Sequence, residues 1–334
     1  MDTTYQAKIS KIIEEKEIEV MDNPQIYQKL ELTINSGDKK GDKVIVVNGD
    51  QPIANTIRYK QNEKVMLSET QNFDGQKEFI ILDYNRHDGL GFLAIIFIAI
   101  IILVSKWKGF TAILGMIFTF IVLFTFILPK IASGSNPLLI ATTASLVIIP
   151  ISFYLSHGLN KKTTVAIIGS FITLFLTAIL SIFFINFTKL TGLSSEEAGM
   201  LFATMGPLTN MKGLLLAGII IGVLGVLDDI TISQSAIVEE LAKTSPNLGK
   251  KELYHKAMNI GRDHIASMVN TLVLAYAGVS LPLLLIFINN PHPASEILNY
   301  EFIAEEIVRT LVGSIGLVLA VPITTYLAAC WYKK

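Results

Sequence analysis

Beyond residue 88 the chain turns into one apolar stretch after another. They lie at residues 90–104, 110–128, 137–155, 164–187, 213–228, 265–288 and 303–330. A helix needs about 20 apolar residues to cross the hydrocarbon core of a bilayer, where every backbone polar group must be satisfied within the segment itself. Most of the seven stretches approach or exceed that length, and the two shorter ones extend through amphipathic flanks. The pattern predicts an α-helical integral membrane bundle of about seven transmembrane helices over residues 89–334. A mean hydropathy of +0.53 and a hydrophobic content of 51% agree, since a soluble domain of ordinary composition is less apolar.

Residues 1–88 read differently. TYQAKISKII, KLELTINSG, DKVIVVNG and NEKVMLSET alternate as short strands do, and GDKKGDK and VNGDQP have the composition of turns. A small antiparallel β domain follows, with closure into a barrel as one way to finish it. Lysines and arginines in the connecting loops set the expected orientation. One side of the membrane collects Lys106, Lys108, Lys161, Lys162, Lys243, Lys250, Lys251, Lys256, Arg262, Lys333 and Lys334; the other holds Arg86, Lys130, Lys189 and Lys212. The bias places the C-terminus in the cytoplasm and the β domain outside a cell membrane. Export of that domain then requires the first span to act as a reverse anchor, or a leading segment ahead of Met1.

Several functions lose their footing. Net charge is −1, with no long basic run, so no nucleic acid is expected as a partner. Cys330 stands alone, and His87, His157, His255, His264 and His292 are scattered, without an HExxH pair or a GxxxxGK[ST] loop. No metal and no cofactor is implied.

The chemistry concentrates at LGVLDDITISQS, residues 224–235, where an apolar run meets two adjacent carboxylates. If the helix continues past them, Gly218, Gly222, Gly225 and Asp229 share one face, with Ala236 and Glu240 further along. Small residues at that spacing admit a neighbouring helix, which puts Asp229 at the end of a tight contact. Asp228 falls on an adjacent face with Thr231 and Ser235. The plainer reading is that Thr231 and Gln234 form a capping box and the acids merely start a cytoplasmic helix. Intramembrane acids nevertheless tend to face bundle interiors and pair.

A partner is offered by GRDHIASMVNTLV, residues 261–273, in which Asp263, Ser267 and Asn270 share a stripe and Arg262 is placed to neutralise Asp228 or Asp229. His264 reads as an interfacial anchor. In the last span Glu305 and Arg309 stand four residues apart and pair within the helix, which leaves Glu306 the freer acid, on a face with Thr310 and Gly313. Pro322 predicts a kink with Thr324 and Thr325 behind it. Between the fourth and fifth spans, SSEEAGMLFATMGPLTNMKG is too short to cross, and Ser194 with Glu197 makes a capping box for an interfacial helix.

Together with the N-terminal β domain, the runs GVLDDITISQSAIVEEL, GRDHIASMVNTLVLAYAG and EIVRTLVGSIGLVLAVPITT resemble the YibE/F-like family of bacterial multi-spanning membrane proteins, across essentially the whole chain. The resemblance implies an integral membrane location, an extra apolar segment at the start of most members, and in some cases a paralogous membrane protein as neighbour. It implies no reaction.

Three functional classes remain open. A permease-like transporter of a small ion or solute would use Asp229 and Asp263 as cation- or proton-linked carboxylates, Arg262 as counter-charge, Asn270 as an uncharged ligand, and the polar faces carrying Asp228, Ser267 and Glu306. A non-transporting envelope scaffold or sensor would bind a partner through its outer β domain and use the charges as structural ion pairs. An intramembrane aspartate dyad of Asp229 and Asp263 would make an enzyme, which nothing in the flanking sequence supports. The expected partners are the bilayer, a small solute, and a paralogous protein or a second copy of the chain.

Overall fold

The computed structural model describes residues 3–21, 23–52, 57–71, 77–206, 210–282, 285 and 293–333. The chain divides into two units, Met1–Ile100 and Ile101–Lys334.

The first unit is built on an antiparallel sheet of β1 (Thr3–Val20), β2 (Asn23–Ile34), β3 (Lys43–Asn48), β4 (Lys64–Gln71) and β5 (Lys77–Tyr84), in the order β3-β2-β1-β4-β5. Residues two apart point to one face of a strand, and Tyr5, Ala7 and Ile9, Leu30, Leu32 and Ile34, and Val65 and Leu67 accordingly fill a single core. The outer strands β3 and β5 approach each other, so the sheet curls toward closure. Gln28 is fully buried and pays for it by bonding the backbone of Tyr59 in both directions, its Nε2 donating to Tyr59 O and its Oε1 accepting from Tyr59 N, each at 2.8 Å. The four expected strands are present. β5 was not expected: EFIILDY is a continuous apolar run rather than an alternating one, yet it completes the sheet.

Helix α1, His87–Ala132, carries the first two expected spans in one run of 46 residues. Its dihedral angles leave the helical region at Lys106 (φ 51°, ψ −131°), between the two apolar stretches, and a π-helical turn occupies Leu123–Ile127. A Cβ at Gly109 would lie 2.6 Å from Ile101 O, so only glycine fits where the chain bends.

There follow α2 (Pro137–His157), α3 (Lys161–Phe187), α4 (Glu196–Met205), α5 (Met211–Thr244), α6 (Lys250–Val279) and α7 (Glu301–Tyr332). Asn136, Asn160, Ser195 and Asn210 cap α2, α3, α4 and α5 by accepting backbone N–H bonds in the first turn. The cap of α4 is thus Ser195 rather than Ser194, and with Ala198 at the third helical position the expected capping box does not form. Among the described residues five helices, α1, α2, α3, α5 and α7, are long and apolar enough to cross a membrane. The count of about seven is thereby neither reached nor excluded: two expected spans lie on either side of the break in α1, and α6 lacks the apolar length within its described residues. Of the sixth expected span, residues 283, 284 and 286–288 lie outside the described residues.

In the second unit α3, α5 and α7 pack on one another, with α6 against α7 and α2 against α5. Lipid is as apolar as leucine, so helices in a membrane associate through close fit rather than hydrophobic burial. The fit is closest between α3 and α7. A Cβ at Gly169 would meet Thr324 Oγ1 at 2.5 Å, and one at Gly316 would meet Thr177 Oγ1 at 2.1 Å. Thr173, Thr177 and Ser181 continue the seam, all fully buried.

Candidate functional site

Helix α5 runs unbroken through both acids, which corrects the expectation of a helix start at Thr231. Thr231, Gln234 and Ser235 are fully buried and serve tertiary contacts instead. Thr231 Oγ1 lies 3.0 Å from Ser170 Oγ on α3, Ser235 Oγ donates to Lys162 O at 3.0 Å, and Gln234 Nε2 donates to Thr325 Oγ1 at 2.7 Å and to Ala257 O at 3.2 Å. One residue of a helix turns the direction by about 100°, so Asp228 and Asp229 face different surroundings.

Asp228 lines a cavity of about 260 Å³ between the second half of α1, the end of α2 and α5. Thr119, Ser152, Ser156 and Gly225 share its wall with Met116, Phe120 and Phe153. Gly115 on α1 faces the two serines, and a Cβ there would come within 3.2 Å of each hydroxyl. Asp228 Oδ1 is shielded from water and lies 3.1 Å from His157 Nε2, at the last residue of α2, without a hydrogen bond between them, and about a third of each side chain is exposed. The contact is an ion pair when the imidazole carries its second proton, and the serine and threonine hydroxyls beside it can either donate or accept.

Asp229 is exposed and continues the face of Gly218, Gly222 and Gly225, which are also exposed. Nothing lies within 4 Å of a Cβ placed at Gly218 or Gly225, and the nearest atom to one at Gly222 is Tyr276 Oη at 3.8 Å. The expected tight contact at this face is thus not made by the chain's own described helices. Arg262 corrects a second expectation: its Nη1 donates to Asn259 Oδ1 at 2.9 Å on its own helix, and it reaches neither acid of α5. Asp263, Ser267 and Asn270 do share a stripe of α6, exposed throughout.

On α7 the Glu305 to Arg309 pair forms as expected, Nη2 to Oε1 at 3.0 Å. Glu306 is held as well, its Oε1 3.0 Å from Arg309 Nη1, but it remains the freer of the two acids, with its side chain 32% exposed against 11% for Glu305. Ser194 Oγ donates to Glu305 Oε2, and Thr191 donates to Glu301 Oε1 through both its backbone N and its hydroxyl, so the segment before α4 is tied to the start of α7. Gly313 is buried and packs on Val223 of α5. Pro322 sits inside a continuous α7, where Thr325 Oγ1 donates to Val321 O at 2.6 Å.

Of the predicted residues, the fold brings Asp228 into a cavity, leaves Asp229, Asp263, Ser267, Asn270 and Arg262 on the outside, and absorbs Glu306 into an ion-pair cluster. The residues that sequence reasoning missed are His157, Ser152, Ser156 and Thr119. A serine pair four residues apart leading to a histidine, SFYLSH, was the available signal. Among the described residues no three of His, Cys, Asp and Glu converge on a point that would hold a metal ion.

No curated protein and no solved structure matches the chain. The family model described as YibE/F-like protein matches residues 93–334, from within α1 to the C-terminus, with the sheet of the first unit lying ahead of the match. This multi-helix chain therefore belongs to the YibE/F-like family.

Proposed function

We propose that the chain is a permease-like carrier of a small ion or solute in the cell membrane, with the β unit outside, the C-terminus in the cytoplasm, and Asp228 with His157 as the element that responds to a proton or cation. The observation that carries the reading is a shielded carboxylate oxygen facing an imidazole at 3.1 Å beside a hydroxyl-lined cavity among three membrane-length helices. Ionisable groups inside a membrane bundle are costly and are retained where they serve a path. The broken α1 and the close-packed α3 and α7 supply elements that can shift against one another.

The test is flux into liposomes under an imposed pH gradient across a panel of ions and metabolites, comparing the wild type with Asp228→Asn, His157→Gln and Asp229→Asn. Gradient-driven flux that is lost in the first two variants and kept in the third supports the reading. Flux from the wild type that all three variants retain would sink it, as would no flux for any member of the panel.

A second reading, a scaffold that binds another membrane protein of the same family or a second copy of this chain, is favoured by one observation. Gly218, Gly222 and Asp229 of α5 and the stripe Asp263, Ser267 and Asn270 of α6 are exposed, and no described atom comes closer than 3.8 Å to a Cβ placed at Gly218 or Gly222. A cross-linked dimer through Gly222→Cys with no flux in any condition would favour it.

A further inference from the structure

The cavity beside Asp228 is apolar at one end and polar at the other. Leu224 packs on the cluster that holds Ile148, and Phe120 and Ile149 add to that apolar wall. One to two turns further along α2 and α5 stand Ser152, Ser156 and Asp228. A helix advances about 6 Å in four residues, so the two ends lie a short alkyl chain apart.

The polar end is short of partners. Elsewhere on α2 the hydroxyls bond their own helix, Ser145 Oγ donating to Ala141 O and Thr142 Oγ1 to Leu138 O, each at 2.8 Å. Ser152 and Ser156 make no hydrogen bond among the described residues, and both hydroxyls face Gly115 of α1. Asp228 makes none either: Oδ1 is shut in beside His157, which leaves Oδ2 as the accessible oxygen. A carboxylate among membrane-length helices is costly when nothing bonds it. Three accepting oxygens at one end of an apolar chamber match the three N–H donors of a primary ammonium, whose charge also offsets that of Asp228. A bare alkali cation would serve the oxygens and leave the apolar end facing water, whereas a short apolar body fills it. The volume of about 260 Å³ lies just below the range for drug-sized ligands, about 300–1,000 Å³, as a smaller molecule requires.

From this arrangement we infer that the cavity binds a small primary amine, as its ammonium, carrying a short apolar body. The ammonium lies on Asp228, Ser152 and Ser156, and the body extends toward Leu224 and Ile148. The inference deepens the carrier reading, on which it rests for the choice of site, by naming the class of solute.

The test is saturation binding of radiolabelled pentylamine to the purified full chain in detergent, read by scintillation proximity, with unlabelled pentylamine, pentanol, pentanoate and sodium chloride as competitors. Pentylamine should displace the label. At equal concentration pentanol and pentanoate, which remove or invert the charge, and sodium, which lacks the body, should not. Asp228→Asn should weaken binding by about tenfold or more, the scale of one hydrogen bond to a charged group. Ser156→Ala breaks no hydrogen bond within the described residues, so it should fold as the wild type does and weaken binding about two- to tenfold. Asp229→Asn, on another face of α5, should leave binding unchanged. No saturable binding up to tens of millimolar, equal displacement by any of the other three competitors, or full affinity in both Asp228→Asn and Ser156→Ala would each overturn the assignment. Occupancy is read without a gradient, so that result would leave a carrier of another solute standing, and binding without flux would sink the carrier reading alone.

Discussion

The seam between α3 and α7 and the outer face of α5 are written in the same small residues and come to opposite ends. In the seam, Gly169 and Gly316 each receive a threonine of the facing helix so closely that no side chain fits. On α5, Gly218 and Gly225 have nothing within 4 Å of where a Cβ would stand. A glycine every few residues therefore announces that a helix can be approached, and says nothing of who approaches. The partner is declared by the other helix: α3 carries Thr173, Thr177 and Ser181 at four-residue spacing, a complement that no described helix offers to the α5 face.

Matched substitutions are the strongest way to break that contrast. Gly316→Leu must displace Thr177 from a fully buried site, and overpacking of this kind costs about 1–3 kcal/mol or more. The same change at Gly218 meets open space and should stay within about 0.5 kcal/mol. Thermal unfolding in detergent, with the monodisperse fraction as a check, separates the two. Equal losses would mean that the α5 face is covered as tightly as the seam, and would turn attention to a subunit contact.

Polar groups sharpen the comparison on a smaller scale. Gln234 ties α5 to α6 and α7 from a fully buried position, so Gln234→Ala should cost about 1–3 kcal/mol. Asn270, exposed on α6, should lose no more than about 0.5 kcal/mol on the same change, measured by the same unfolding experiment. A large loss at Asn270 would show that its stripe is buried in the assembled protein. For the two acids, stability should separate them less than flux: Asp228→Asn keeps its shape and its contact with His157, so a folded protein that fails to respond to a pH gradient is the expected outcome.

Much of this architecture was legible beforehand, because length and hydropathy act locally. Apolar runs declared the helices and alternation declared β1 to β4. What escaped reading depended on direction and on distant partners. Asp228 and Asp229 are neighbours in sequence, and only the placement of α2 decides that His157 meets the first. Arg262 was assigned to the acids on charge alone, yet its helix turns it toward Asn259. Ser194 and Ser195 compete for one cap, and the choice falls to Ser195 because Ser194 is taken by Glu305 on α7. The missing strand β5 had no alternation to show, since Ile80 and Leu82 are apolar on the outer face as well.

The first unit supplies the last contrast, for there charge rather than shape holds a contact. Glu69 on β4 lies between Lys39 at 2.5 Å and Lys77 at 2.7 Å, with its side chain 10% exposed. Hydrogen bonds from the two lysines, first Lys39 and then Lys77, pull its carboxyl from the ordinary 4.5 down to about 2, against the opposing effect of desolvation. A carboxyl depressed in the folded state contributes stability that is complete above its unfolded value and is lost as pH falls through the folded one. The wild type should therefore lose sheet stability between about pH 4.5 and pH 2, and Glu69→Gln should flatten the fall across that interval while leaving the seam of the second unit untouched. Tyr59 gives the opposite slope: burial raises its hydroxyl from 10.0 to about 12, so its contribution is whole below pH 10 and fades toward pH 12. The far-ultraviolet strand signal of the full chain, followed on heating at a series of pH values, reads both. An identical acid slope in the wild type and Glu69→Gln would show that the two lysines do not hold this carboxylate in solution, and would leave the sheet, like the seam, to be explained by packing alone.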